Sequence, residues 1–219
     1  MSEARTARKP PSPGTLLVNG IFTENPVFRL ALSLCPAVAV TTTIPNGFIL
    51  GVAVLAVQIL SSMTVGLIRN KIHPRVRIPV YTIIIAVWVS AIDMVLAAFT
   101  PGLYAQVGLY VKLIVAFAII ISRLELFASR QPLLSTFFDG LGMGLGFLFA
   151  MVTISAFREL LGSGSLMGYQ IAPGKPLLFF ILPAGGFFTI SMFMALFNLV
   201  ERKVGEMAAA RQAEGGSHG

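Results

Sequence analysis

Few residues of this chain can do chemistry, and nearly all of them lie in apolar surroundings. Cys35 is the only cysteine. It stands inside LSLCPAVAV, so an intrachain disulfide is impossible. Its thiol is either an inert packing group or a metal or redox group completed by another chain. Thiolates are the usual ligands of iron–sulfur clusters, and one thiolate cannot hold a cluster alone. Asp93 sits in AVWVSAIDMVLAAF. A carboxylate in such a run is costly and usually faces a bundle interior or a water cavity. It could serve ion passage or accept a hydrogen bond near an interface. Glu125, Asp139, Arg158 and Glu159 lie nearer the ends of apolar runs, where capping or interfacial pairing is the simpler role. His73 and His218 fall in a loop and a tail, and there is no paired His cluster, Walker sequence or hydrolase triad. The run Gly140-Leu141-Gly142-Met143-Gly144-Leu145-Gly146 has no strand before it, so it does not cradle phosphate. Glycines four apart instead allow close approach of another helix.

The elements that must position these residues are membrane helices. Of the 219 residues 56% are hydrophobic and only 11% are charged, against about 25% charged in soluble domains. A soluble core of this size could not hide that much apolar surface. The net charge of +7 does not indicate nucleic acid, because the basic residues are not gathered beside aromatics. They sit between apolar runs, as juxtamembrane anchors do.

A spanning helix needs about 20 mostly apolar residues. Six segments qualify: 26–44, 47–68, 78–99, 103–128, 137–161 and 177–200. Placing the N-terminus in the cytoplasm puts most of the 16 Lys and Arg residues inside. The clearest marker is RNKIHPRVR between spans two and three. Only Lys112, Arg158 and Lys175 are left in or near the outer half. The positive-inside rule therefore predicts both termini in the cytoplasm. The first residues, 1–24, are polar, Pro-rich and basic and lack the pattern of a signal peptide. They read as a cytoplasmic tail, and 205–219 reads as a second, flexible one.

Two spans read as broken. Cys35-Pro36 falls near the middle of the first, where proline removes an amide hydrogen and clashes with the preceding turn. The hydroxyls of Thr41, Thr42 and Thr43 follow and can satisfy freed backbone groups. An ordinary proline kink is the alternative. The fourth span carries Lys112 among apolar residues, which can snorkel along its own methylenes. The halves also look related. TIPNGFILGVAVLAV opens span two and FFDGLGMGLGFLFAM opens span five, with Asn46-Gly47 and Asp139-Gly140 at the two mouths. Three spans reverse direction relative to the next three, so the repeat is inverted, over about 25–100 and 101–204. Such repeats place a functional site near the midplane. The expected fold is thus an all-α membrane protein with six transmembrane helices in two inverted three-helix repeats, spans one and four broken.

The segments NPVFRLALSLCPAVAVTTT, VRIPVYTIII, SRLELFAS, DGLGMGLGF and FRELLGSGSL closely resemble the RnfE/NqrD family. The resemblance covers about 25–203. It implies a membrane subunit of a redox-driven, ion-translocating complex of the ferredoxin:NAD oxidoreductase (Rnf) type or its quinone-reducing relative, in a bacterial inner membrane. It implies as partners a homologous RnfA-type membrane subunit of opposite orientation, the other Rnf subunits, and sodium or protons. It also implies a [2Fe–2S] cluster shared with that homologue, each chain giving two cysteines. The first matches Cys35. The second belongs to a segment of the type LIVxxCxxxxRxExFA, which here reads LIVAFAIIISRLELFAS with Ala118 at the cysteine position. Arg123, Glu125 and Ala128 keep the surrounding pattern. Alanine cannot ligate iron, so the expected site residues are Cys35 as a metal ligand, with Asp93 and Glu125 as an ion path. A lone secondary transporter and a scaffold without a cluster are the competing readings.

Overall fold

The computed structural model describes residues 25–69, 71–129, 131–166, 169–170 and 178–215. Its helices are α1 (Leu34–Ala39), α2 (Ile44–Ile68), α3 (Arg77–Phe99), α4 (Pro101–Lys112), α5 (Ala118–Arg123), α6 (Leu133–Ser163) and α7 (Pro183–Gly215). Apart from a two-residue antiparallel pairing of Ser165–Leu166 with Tyr169–Gln170, the described chain is all-α. Five stretches are long and apolar enough to cross a membrane: α2, α3, the composite Pro101–Ala128, α6 and the first part of α7. Large apolar side chains such as Leu67, Met94 and Phe99 lie on the outside. In water they would form an apolar patch far beyond that of a soluble monomer; against lipid they face their own kind. The tail expected over 1–24 lies outside the described residues, as do Arg130 and Lys175. The stretch expected as a second tail is helical as far as Gly215.

Proline sets most of the starts. Pro45 and Pro101 occupy the first turns of α2 and α4, α7 opens on Pro183, and α6 begins directly after Pro132. There the missing N–H costs no helical bond and the fixed φ suits the helix. At its other end α6 stops at Gly164, whose φ of 62° is left-handed and whose N–H bonds Leu160 O at 3.2 Å. A glycine meets that conformation without a Cβ penalty.

The centre of the molecule is the antiparallel crossing of α2 and α6, and its contacts repeat. Gly47 packs on Ser155, and Gly140 packs on Ser62; Gly51 packs on Leu148, and Gly144 on Leu55. The same sequence spacing separates Gly47 from Gly140, Gly51 from Gly144, Leu55 from Leu148 and Ser62 from Ser155. A pseudo-twofold axis perpendicular to two antiparallel helices produces this exchange, so the two halves are an inverted repeat. Each half is a broken segment, then two long helices.

The breaks are not where proline alone would put them. A kink at Cys35-Pro36 is the expectation for span one, yet Pro36 is the third residue of α1, a position whose N–H is unsatisfied in any helix. The chain breaks earlier, at Ala31 (φ 51°) and Ser33 (φ 58°), and again after Val40. In span four, α4 tightens into a 3-10 turn over Leu113–Ala116, Phe117 is extended, and α5 restarts at Ala118. It ends in a π-helical turn, Leu124–Ala128.

Candidate metal centre at the two helix breaks

The two breaks meet at one depth. Asn25 Nδ2 donates to Gly146 O at 3.2 Å, while Phe117 packs on Phe147 with ring centroids 6.5 Å apart. Gly146 and Phe147 lie close to halfway along the 31-residue α6. Below Asn25 the chain turns tightly, because Asn25 Oδ1 accepts from the N–H groups of Val27 and Phe28, each at 3.1 Å. Phe28 then stacks on Phe197 of α7 at 4.9 Å. Ser33 reaches across to the second break, where its Oγ accepts from Ile119 N–H at 3.4 Å. Left-handed backbone at Ala31 and Ser33 costs on the order of 1–2 kcal/mol per residue. It persists because these contacts fix the segment from both sides, and non-glycine residues held this way gather at functional sites.

Between the breaks lies an open, mostly apolar hollow of about 560 Å³. Ala31, Ser33, Cys35 and Ala39 form one wall; Leu113, Ala116, Phe117 and Ala118 form the other. The structure thus brings together Cys35 and Ala118, which are far apart in sequence. Cys35 is exposed, and so is Ala118, on the flank of a membrane protein. Small residues on both walls leave room for a group larger than a side chain. No other Cys, and no His, Asp or Glu, is among the lining residues, and the described residues contain no cluster of three such groups able to hold a metal. A [2Fe–2S] cluster takes four ligands, usually thiolates. The lining contains one candidate thiolate, Cys35, and cannot supply a second at Ala118.

Asp93 and Glu125 are not brought together. Asp93 accepts from Tyr104 Oη at 2.9 Å, near the end of α3. Glu125 Oε1 stands 4.0 Å from Arg77 Nη1 at the start of α3, so the two carboxylates are separated by roughly 24 Å along that helix at 1.5 Å per residue. At the Glu125 end Arg123 also pairs with Asp139 at 3.0 Å, and Arg69 donates to Gln131 O. Arg69, Arg77 and Arg123, three of the basic residues expected on one side of the membrane, therefore stand at one end of the bundle. Tyr104→Phe is expected to lower stability by about 0.5–1.5 kcal/mol, as for a typical intramolecular hydrogen bond. Asp93→Asn should cost less in the Tyr104→Phe background than in the unaltered chain, because its hydrogen-bond donor is already gone. Detergent unfolding of both single variants and the double checks this; fully additive losses would mean the two groups do not interact.

Arg158 and Glu159 have a larger part than the interfacial role their sequence position suggests. Both are buried, at 2% and 5% exposure. Adjacent on α6, they serve different helix ends. Glu159 Oε2 accepts from Ile44 N–H at 2.7 Å, at the first residue of α2, where a carboxylate suits the exposed N–H groups and the dipole. Arg158 reaches the end of α1. A charged pair inside an apolar run was the available signal, but which helix ends it meets depends on chain segments more than a hundred residues away.

Comparisons with known proteins bear on this arrangement. The family model described as "Rnf-Nqr subunit, membrane protein" matches residues 14–194. The chain is 44% identical to the E component of a proton-translocating ferredoxin:NAD(+) oxidoreductase complex from Clostridium ljungdahlii, over 90% of this chain and 94% of that protein. It is 39% identical to the E component of the Na(+)-translocating ferredoxin:NAD(+) oxidoreductase complex of Acetobacterium woodii, over 85% and 96%. The E component of an ion-translocating oxidoreductase complex from Methanosarcina acetivorans is 38% identical, over 85% and 91%.

Proposed function

The chain belongs to the Rnf-Nqr family of membrane subunits, and on that premise we propose that it is the E-type component of an ion-translocating ferredoxin:NAD oxidoreductase complex in a bacterial inner membrane. It works beside a homologous RnfA-type subunit of opposite orientation, with both of its own termini in the cytoplasm. The observation that carries the reading is the placement of Cys35: an exposed thiol in a hollow formed where two spans break, level with the middle of α6.

In this reading Cys35 offers one thiolate outward to a [2Fe–2S] site shared with the homologous subunit, and the ligand missing at Ala118 comes from elsewhere. A cluster so held would supply a one-electron relay between cofactors on the two sides. The chain's own part is placement. A thiol halfway across a hydrocarbon core of about 30 Å divides one long transfer into two shorter ones, and tunnelling falls steeply with distance. The apolar walls and the hydrocarbon core around them lower the local dielectric, which strengthens the effect of any change of charge there. Ion coupling then requires that the inward and outward forms of the paired repeats interact differently with that charge. Asp93 and Glu125, toward opposite ends of α3, are the candidate way-stations for sodium or protons. The relatives' names include both ions.

Ala118 specifically favours a second reading, a scaffold that holds redox subunits without a cluster of its own. Electron paramagnetic resonance of the reduced, purified complex separates the two. Cys35→Ser is expected to abolish or shift a [2Fe–2S] signal while all subunits remain assembled. An unchanged spectrum with electron transfer retained would leave the scaffold reading standing.

A further inference from the structure

α1 has six residues, too few to hold a helix by itself, yet it carries Cys35. Something must fix it, and its last turn leaves carbonyls without helical partners. Arg158 fills that role. Its Nη1 donates to Val38 O at 2.6 Å and Thr41 Oγ1 at 2.8 Å, and the Thr41 hydroxyl donates in turn to Ala37 O. Nε donates to Phe180 O at 3.0 Å, and Nη2 to Ile181 O at 3.1 Å and Leu182 O at 3.4 Å. A guanidinium has five N–H groups in a rigid fork. Here these bonds involve every nitrogen, and every acceptor named is a neutral oxygen. The negative end of a short helix and a row of carbonyls before α7 favour the cation there.

We propose that Arg158 is the positioning residue for Cys35. Val38 lies one turn after Cys35 on α1, so holding Val38 O fixes the short turn of helix that carries the thiol. Glu159 grips the start of α2, and together the adjacent pair sets both ends of the link between α1 and α2. The site for the guanidinium is close-fitting: a Cβ added at Gly186 would lie 3.2 Å from its central carbon and 3.1 Å from Val38. A purely space-filling role would not call for five directional bonds to a charge that is costly to bury. The proposal rests on Cys35 being the working group of the function proposed above, but its test needs no iron.

Because Cys35 is the only cysteine, a nitroxide can be attached to it in the full chain, purified into lipid nanodiscs. Arg158→Gln is expected to shorten the label's rotational correlation time several-fold while helix content by circular dichroism is kept. Arg158→Lys, which retains charge and some donors, should recover part of the immobilised line shape. Asp93→Asn, on a different helix, should leave it unchanged. A folded Arg158→Gln protein with the wild-type line shape overturns the proposal. If that variant does not fold, Arg158→Lys decides, since it keeps the charge but loses the rigid fork of donors. A more mobile label supports the role, and a wild-type line shape refutes it. Failure here would leave the iron signal of the Cys35→Ser comparison untouched, so the two readings fail separately.

Discussion

Leucine in place of Arg123 is expected to destabilise the protein by about 3–5 kcal/mol, the usual cost of breaking a buried ion pair from one side. Arg123 Nη2 and Asp139 Oδ1 are 3.0 Å apart, with side chains only 14% and 6% exposed. Removing the cation takes the Arg123 guanidinium away from a carboxylate whose side chain is only 6% exposed. The guanidinium also stands 5.9 Å from the Phe127 ring centre, so some packing goes with it. The pair ties the end of α5 to the start of α6, and therefore holds the second half of the broken fourth span against the central crossing. Asp139→Leu alone should cost a similar amount. The double variant, Arg123→Leu with Asp139→Leu, should recover much of the loss, because neither charge is then buried without the other. Unfolding of the purified chain in mixed detergent gives all the terms of the cycle. Single losses below about 1 kcal/mol, of the size seen for exposed pairs, would show that water reaches this pair.

The second large effect is expected at the central crossing. Valine at Gly144 would put a Cβ 3.1 Å from Leu55 Cα, and valine at Gly51 would put one 3.2 Å from Leu148 Cα. Backbone cannot step aside as a side-chain tip can, so the helices must separate. Overpacking of this kind costs about 1–3 kcal/mol, and separation also loses the dispersion contacts that hold membrane helices together. Because the two contacts are related by the pseudo-twofold axis, the two variants should cost nearly the same. Gly102 provides the control. It lies in a helix with nothing within 4 Å of an added Cβ, so Gly102→Ala should be neutral or stabilise by up to about 1 kcal/mol through helix propensity. Melting of the three purified variants tests this. If Gly144→Val behaves like Gly102→Ala, the crossing is not close-packed.

The amino-acid sequence by itself determined the class of this protein and most of its helices. Apolar runs of about 20 residues have one stable environment, and the cost of an unpaired backbone group in lipid leaves helix as their form. That is why the limits expected for spans two and three fall within three residues of α2 and α3. Charge placement between runs was legible for the same reason, and Arg69, Arg77 and Arg123 do stand at one end of the bundle. The matching Asn-Gly and Asp-Gly mouths pointed to the inverted repeat because close approach is the one thing glycine alone permits. Tertiary structure decided the rest. Proline marked a break in span one, but its place was set by the contacts that hold Ala31 and Ser33 left-handed, and these come from Asn25, Ile119 and the level of Gly146 on α6. Whether Cys35 was inert packing or an exposed thiol could not be read from its neighbours in LSLCPAVAV, since exposure depends on which wall the second break forms. The destination of Arg158 was equally hidden: a side chain's position on its own helix is periodic and local, whereas the carbonyls it meets belong to segments whose meeting only the packed bundle fixes.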